Sequence, residues 1–470
     1  MIRRFRLVTF SALSLAGCTT VGPDYAAPKV PVGSEWLAQT VTQPIEATWW
    51  RSLNDPLLTQ LVDLAVANNR DVREADARLR EARANRDAVR GRALPKVDVT
   101  GAATENRLSE NGQLPVSGIP GLDPSFSLFD IGFDASWEID IWGGTRRAVQ
   151  GAEARVEAAE EARREVLVSV IAELARNYVD LRAAQARRTS AQADAEAQAW
   201  VARLIGERHG AGEASRFDFV RADAQAQATA AALPNLDADA RAAAYRIAVL
   251  TGQPPEAAAA QLMAPTRLPQ APATVAAGMR SDLLRRRPDI RRAERELAAF
   301  TADIGVATAD LFPRFSLLGT IGLQARDADE LGTGDSVRYQ AGPSLRWPIF
   351  SASRIRAQIR AAEARLAAAL VRYERSILIS LAESESALNR FAAAQATRER
   401  SDLVRTQSAA ALQLARQRFL IGEDDLIVLL NAQSAFSAAD RQSVDARAAE
   451  LAALIALYKA LGGGWECVET

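Results

Sequence analysis

The sequence predicts a mainly helical chain that carries a few membrane-type β-strands and is built from two copies of one unit. Three observations lead there. Residues 145–205 and 353–420 contain no proline and, between them, a single glycine, Gly151. Alanine, arginine and glutamate dominate both stretches, all good helix formers, and at ~1.5 Å per residue each would extend roughly 90–100 Å. Residues 129–141 instead alternate strictly. Phe129, Ile131, Phe133, Ala135, Trp137, Ile139 and Ile141 oppose Asp130, Gly132, Asp134, Ser136, Glu138 and Asp140, the period-2 pattern of a strand with one apolar face. Finally, the two halves match each other in order. Arg70-Asp71-Val72-Arg73 aligns with Pro288-Asp289-Ile290-Arg291, Leu94-Pro95 with Phe312-Pro313, and Gly212-Glu213 with Gly422-Glu423. A period of about 210 residues is too long for a solenoid repeat and reads as duplication of a whole unit.

At the N-terminus, Arg3, Arg4 and Arg6 precede a short apolar run, and Leu15-Ala16-Gly17-Cys18 follows it. This is the pattern of a signal peptide, residues 1–17, ending in a lipobox whose cysteine thiol takes a lipid. The apolar run is too short for a retained membrane helix. Thr19, not an aspartate, follows Cys18, which resembles the sorting signal for the outer membrane and directs the expectation there. Residues 18–54 form an extended, lipid-anchored lead-in.

The first copy spans residues 55–250, with strands near 96–104 and 128–141 and long helices near 145–205 and 213–250. Pro234 stands inside the last of these and predicts a kink or break. Residues 251–278, with Pro254, Pro255, Pro265, Pro269 and Pro272, read as a linker. The second copy spans 279–463, with strands near 314–324 and 336–349 and helices near 353–420 and 424–461. Residues 464–470 form a tail. The helix over 353–420 carries an apolar seam at Ile355, Ile359, Leu366, Leu370, Tyr373, Ile377, Leu381, Leu388 and Phe391, the steps of three, four and seven that pack helices side by side.

The strands carry the membrane argument. No later apolar stretch could span as a helix, so a crossing must use strands. The strands reach about ten residues, as a tilted membrane strand needs. Their polar faces bear carboxylates and arginines suited to a wet lumen, and Trp137, Trp142, Tyr339 and Trp347 fit an interfacial aromatic girdle. Four strands are too few to enclose a channel, since barrels begin near eight, and open edges are not tolerated in lipid. The chain must therefore associate; closure by itself admits two, three or four copies.

Other chemistry finds little support. Lys and Arg total 57 against 58 Asp and Glu, a balance that argues against nucleic acid. With Cys18 lipidated, Cys467 is left alone and no disulfide framework exists. His209 is the one histidine and has no companion ligands for a metal; it reads as a surface residue of a turn. No cofactor is expected beyond the lipid on Cys18, and no nucleophile–base arrangement is visible. Gly212 and Gly422 stand where a helix ends with positive φ, and Ser215 and Asp425 where the return helices would be capped.

Cys18-Thr19-Thr20-Val21-Gly22-Pro23-Asp24-Tyr25, Trp49-Trp50 with Asp55-Pro56-Leu57, Trp142-Gly143-Gly144, Arg285-Arg286-Arg287-Pro288-Asp289-Ile290, Gly422 and Tyr458-Lys459-Ala460-Leu461-Gly462-Gly463-Gly464-Trp465 together resemble the TolC/OprM-type outer membrane factors, in their NodT-like lipoprotein branch. The resemblance covers nearly the whole mature chain. It implies a homotrimer with a twelve-stranded barrel in outer-membrane lipid above a periplasmic α-helical barrel. It implies a periplasmic adaptor at tips formed by Gly212, Glu213, Ser215, Gly422 and Glu423, and an inner-membrane pump of the resistance–nodulation–division type. The expected function is a passive exit duct for small molecules that catalyses nothing. A duct for type I protein secretion is the alternative, and a periplasmic helical adaptor or scaffold a more distant one. Family members often ring the periplasmic constriction with aspartates. The corresponding positions here are Val428 and Asn431, neither acidic, which leaves Asp424 and Asp425, nearer the tip, as the acidic candidates.

Overall fold

The computed structural model describes residues 20–33, 35–38, 43, 45–109 and 123–466. The segment expected to be a signal peptide, residues 1–17, and Cys18 and Cys467 lie outside these residues. In chain order the described elements are α1 (Pro56–Asn68), α2 (Arg70–Gly91), β1 (Lys96–Arg107), β2 (Ser125–Ile139), α3 (Gly144–Gly210), α4 (Arg216–Ala230), α5 (Leu233–Leu250), α6 (Pro255–Leu262), α7 (Leu283–Arg286), α8 (Pro288–Ala309), β3 (Arg314–Ala325), β4 (Val337–Arg346), α9 (Ala352–Leu420) and α10 (Leu426–Ala460). Among them, no helix is long and apolar enough to cross a membrane.

Several element boundaries differ from the sequence reading: the second strand, expected over 128–141, is Ser125–Ile139, and three further elements change. The return helix expected over 213–250 is two helices, α4 and α5, with Ala231 and Ala232 between them in right-handed backbone. Pro234 sits at the second position of α5, where its missing N–H costs nothing. Its counterpart α10 runs unbroken for 35 residues. The fourth strand stops at Arg346 rather than near 349, because Pro348 cannot donate to a ladder and a 3₁₀ turn follows at Ile349–Ser351. The first strand extends three residues further, to Arg107, paired along its length with β2.

The chain divides into two compact units that cut across the two sequence copies. The first, residues 1–28, 80–158 and 294–372, holds an antiparallel sheet in the order β1-β2-β3-β4. β2 and β3 come from different copies and pair at its centre, Phe129 facing Ala325 and Ile139 facing Phe315. Trp137 and Trp347 occupy equivalent places in the two copies. Each donates its indole N–H to a carbonyl just before a strand, Trp137 to Ala93 (3.0 Å) and Trp347 to Leu311 (3.2 Å). Both remain more than a third exposed, so the rings are tethered at one end and bare along the rest.

The second unit, residues 29–79, 159–293 and 373–470, holds the main apolar core, with Trp49, Trp50, Leu58, Leu167, Ile171, Tyr178, Ile247 and Leu454 buried together. The seam residues Tyr373, Ile377, Leu388 and Phe391 of α9 are buried as their spacing predicts. Three sequence motifs that lie far apart in the chain meet here. Trp49 stacks on Tyr458 with centroids 5.0 Å apart. Arg287 forks onto both oxygens of Asp289, reaches Glu383 at 2.8 Å and donates to the Ala460 carbonyl at 2.9 Å, where α10 ends. Arg286 holds Ile45 O and Glu466, and Trp465 donates back to Arg286 O. The ring of Trp465 also lies under the guanidiniums of Arg164 and Arg291. The Arg-rich and Gly-rich motifs are therefore a structural knot that joins the lead-in to the middle of α9 and the end of α10.

Arg287 is almost fully buried and its fork cannot be reproduced by an ammonium. Arg287→Ala should cost about 3–5 kcal/mol, the usual penalty for breaking a buried ion pair, and Arg287→Lys should recover only part of it. Thermal unfolding in detergent would measure both; a lysine variant as stable as wild type would show that charge alone is needed.

Candidate functional site

The sheet of the first unit separates its side chains cleanly. On one face Val97, Val99, Ile131, Phe133, Leu317, Ile321, Tyr339 and Leu345 are exposed, an apolar patch far too large for a surface meant for water. The opposite face presents Lys96, Asp98, Asp130, Asp134, Glu138, Arg314, Arg338 and Arg346 among serines, threonines and glycines. At the middle of this polar face Gly132 and Gly322 lie directly opposite each other. A Cβ on either would come within 2.6 Å of the neighbouring strand's carbonyl oxygen. Arg338 stands beside Gly322 on β4 yet ion-pairs at 2.6 Å with Asp130 on β2, so its side chain crosses over β3 at the bare glycine row. Sequence reading noted the alternation; the glycine pair and the bridge above it depend on register and were not foreseen.

The lead-in just beyond the proposed lipid site is clasped within the same unit. Val21 N–H donates to the Trp142 carbonyl at 3.0 Å. Arg147, buried, donates to the carbonyls of Val21 and Gly22 and pairs with Asp24 at 2.7 Å. Gly143 lets Thr20 approach so closely that a Cβ there would meet Thr20 Cγ2 at 2.5 Å. Trp142-Gly143-Gly144 and Val21-Gly22-Pro23-Asp24, quoted above as separate motifs, are thus two halves of one contact. Arg147 was missed because nothing in a helix-forming run marks one arginine among many.

In the second unit, the two helical tips share one geometry. Glu213 N–H bonds to Arg208 O and Gly212 N–H to His209 O; Glu423 N–H bonds to Arg418 O and Gly422 N–H to Phe419 O. Gly212 and Gly422 have φ of 80° and 81°. Both are Schellman endings, which use the left-handed glycine to satisfy the last helical carbonyls. The starts of the return helices differ. Ser215 accepts from Asp218 N–H at 3.1 Å and donates to Asp218 Oδ2 at 2.6 Å, a reciprocal cap. Asp425 occupies the N-cap position of α10, but its side chain makes no capping bond, contrary to the sequence expectation. Val428, in the place that Asp218 holds in the first copy, has no group to return one. Asp424 instead pairs back to Arg418 at 3.0 Å and Glu423 reaches the same arginine at 3.6 Å. Val428 and Asn431 are exposed. His209 is half-buried rather than a free surface residue: its Nδ1 meets Ala214 O at 2.9 Å and its ring stacks on Phe219, which pins the first turn.

Behind the tips a small core of Val201, Ile205, Phe419, Leu429 and Leu430 is lidded by Arg208 over Phe419 and Arg416 over Trp200. Further along, α10 is tied to its neighbours by polar contacts where an apolar seam would be ordinary. Asp440 takes Ser190 from α3 and Arg405 from α9, Arg187 pairs with Asp445 at 2.6 Å, and Asp402 takes Ser443 at 2.6 Å and Arg447 at 3.1 Å. Burial by itself would raise the Asp402 carboxyl, but the Ser443 hydroxyl and the Arg447 and Arg398 guanidiniums outweigh it and hold it below the ordinary range. Burial pushes the Glu450 carboxyl up despite Arg398 beside it. None of these polar ties was named from the sequence, where they sit among many charged helix residues. Among the described residues, no group of three or more His, Cys, Asp or Glu side chains could hold a metal.

Comparison with known proteins gives a consistent result. The family model described as outer membrane efflux protein matches twice, over residues 61–253 and 279–463. Nodulation protein T of Rhizobium leguminosarum bv. trifolii is 32% identical over 466 residues, covering 98% of this chain and 97% of the relative. The pyoverdine export outer membrane protein OpmQ of Pseudomonas aeruginosa is 32% identical over 421 residues, 89% of this chain and 87% of the relative. The solved structure of the outer-membrane channel OprN superposes with a TM-score of 0.86 at 37% identity, over 95% of this chain and 100% of that one.

Two predictions follow from the polar ties and the clasp. Because Asp402 is held below its unfolded value, its contribution to stability is present above the ordinary carboxylate range and is lost as pH falls through the lowered value. Asp402→Asn should lower stability at neutral pH by about 2 kcal/mol and flatten the acid limb of a melting-temperature profile; an unchanged acid limb would remove Asp402 as its source. Arg147→Ala should leave the helical second unit intact while exposing residues 20–24 to limited proteolysis, read by mass spectrometry of the released N-terminal peptide.

Proposed function

The chain belongs to the outer membrane efflux protein family and is the outer-membrane channel component of a tripartite efflux system; from that premise we propose that three copies close a single passive duct for small molecules across the periplasm and outer membrane. One observation carries the proposal. The sheet β1-β2-β3-β4 has a bare apolar face, a charged polar face and two unpaired edges, β1 and β4. In lipid those edges must be satisfied, and pairing β4 of one copy with β1 of the next does so while placing every apolar face outward. Three copies supply twelve strands, enough to leave a water-filled lumen.

Cys18 carries the lipid, and the clasp two residues beyond it holds the anchored segment against the strand-to-helix junction. The tips Gly212, Glu213, Ser215, Gly422 and Glu423 receive a periplasmic adaptor, and an inner-membrane pump of the resistance–nodulation–division type supplies the energy. The chain catalyses no reaction and uses no cofactor beyond its lipid. The entrance is held shut by the packed tip core and the polar ties on α10 rather than by an acidic ring, since Val428 and Asn431 stand where carboxylates would be needed and Asp424 is engaged by Arg418. Asp425 is the carboxylate left to face the entrance.

The reading is tested by isolation from outer membranes. The protein should extract only with detergent, run as a heat-modifiable trimer and conduct in planar bilayers. A water-soluble monomer without conductance would overturn it. Cys18→Ser should abolish palmitate labelling. Asp425→Asn should lower the cation preference of the current, whereas Asp424→Asn should act mainly on stability; identical currents from Asp425→Asn would remove it from the entrance.

A further inference from the structure

The polar face of the sheet has an internal order that the duct reading does not use. The register places its charged side chains in successive rows from the helical end outward. Arg314 and Arg346 face each other across β3 and β4 in the row nearest the helices. Glu138 follows on β2, beside Ser316 and Ser344. Asp98 and Asp134 are direct partners further out, and Arg338 and Asp130 lie beyond them. Most of these charges cancel locally. Lys96 pairs with Asp98 at 2.7 Å, Arg314 with Asp310 at 2.5 Å and with Glu138 at 3.8 Å, and Arg338 with Asp130 at 2.6 Å.

Of the charged groups on this face, Asp134 and Arg346 have no ion pair among the described residues. Asp134 accepts a hydroxyl, Thr100 Oγ1 at 2.8 Å, and shares the field of Arg338, whose ion pair is with Asp130; Arg346 ends β4 beside the like charge of Arg314. Asp134 is level with Thr320 and Gln340, so the two unbalanced charges stand six residues apart along β4, or about 20 Å at the ordinary strand rise. The Debye length is ~8 Å at physiological ionic strength. At that spacing the charges do not cancel each other; they act as two separate sites of opposite sign.

We propose that the exit barrel contains a two-ring charge filter, a basic ring of Arg346 toward the helices and an acidic ring of Asp134 toward the outer mouth, which favours zwitterionic and uncharged solutes over those of a single sign. The inference rests on the trimeric barrel proposed above, in which each side chain recurs three times at one level. A ring of one sign concentrates counter-ions and excludes co-ions. Two rings of opposite sign in series leave neither small cations nor small anions a continuous favourable path. A solute with separated positive and negative groups meets a complementary ring at each end. The same polarity makes the conductance asymmetric: a field that drives cations and anions toward each other between the rings fills that stretch with carriers, and the reverse field empties it. The Arg338–Asp130 bridge over Gly132 and Gly322 keeps the outermost row neutral, so Asp134 stands as the net charge near the mouth.

The test is the current–voltage relation of the full-length protein in planar bilayers, in ~0.15 M and 1 M KCl, where the Debye length is about 8 Å and 3 Å, the first still short of the ring spacing and the second short enough to screen each ring from the lumen. Wild type should rectify at low salt, by about twofold or more given the strength of focused fields in a narrow cleft, and lose the asymmetry at high salt. Arg346→Gln and Asp134→Asn should each abolish rectification and shift the K⁺/Cl⁻ permeability ratio in opposite directions, up for the first and down for the second. Arg338→Gln, which frees Asp130, should raise that ratio without removing rectification. Conducting variants with unchanged curves would overturn the filter and leave the barrel standing. Absence of any channel from wild type would overturn the barrel, and the filter with it.

Discussion

Backbone N–H and C=O groups in hydrocarbon must find partners, and each chain brings only four strands to meet that demand. The sheet has two unpaired edges and an apolar face that water would not tolerate. Pairing between copies answers both at once. The rest of the molecule follows from this constraint. Duplication supplies two hairpin-like strand pairs that meet at β2 and β3, Trp137 and Trp347 fasten both copies to the turns that enter the sheet, and the helices that leave the strands inherit the same repetition.

A second theme is the use of arginine as a connector. Arg287, Arg286 and Arg147 each join segments that lie far apart in sequence, and each does so by donating to backbone carbonyls as well as to carboxylates. A carbonyl acceptor is available wherever a helix ends or an extended strand passes, so a buried guanidinium can serve several chain segments at once. This explains why the motif residues that mark the chain as a family member are mostly not at its working surfaces. They hold the lead-in, the linker-proximal turn of α7–α8 and the end of α10 in place, while the entrance and the lumen are built from less distinctive residues.

The helices around α10 show a different balance. The small residues and polar ties of α10, with Ser190, Asp440, Ser443 and Asp402 buried or half-buried, replace part of the apolar seam that α9 keeps through Tyr373, Ile377 and Leu388. Hydrogen bonds and ion pairs of this kind contribute little net stability compared with packed methyl groups, but they fix relative position sharply. A helix held in this way can be released by competing partners at modest cost, which suits the closed entrance proposed above. The uncapped start of α10, beside the fully capped start of α4, lies in the same direction.

Much of the fold was legible from local pattern. Strict alternation in β2 and β4, the proline-free runs of α3 and α9, and the glycine turns at Gly212 and Gly422 each follow from a periodicity or a backbone preference that acts within a few residues, and so the sequence by itself determined the elements, the duplication and the faces of the strands. Pro234 announced the break between α4 and α5 for the same reason. What only the tertiary structure decided is which distant residues meet. The Arg287 knot, the Arg147 clasp, the idle Asp425 cap and the crossing of Arg338 over Gly132 and Gly322 depend on register and on the approach of segments from both copies. Charged side chains are common along every helix and strand here, and no local preference distinguishes those that find an ion-pair partner from those that face water; only three-dimensional pairing leaves Asp134 and Arg346 without an ion pair on the polar face of the sheet.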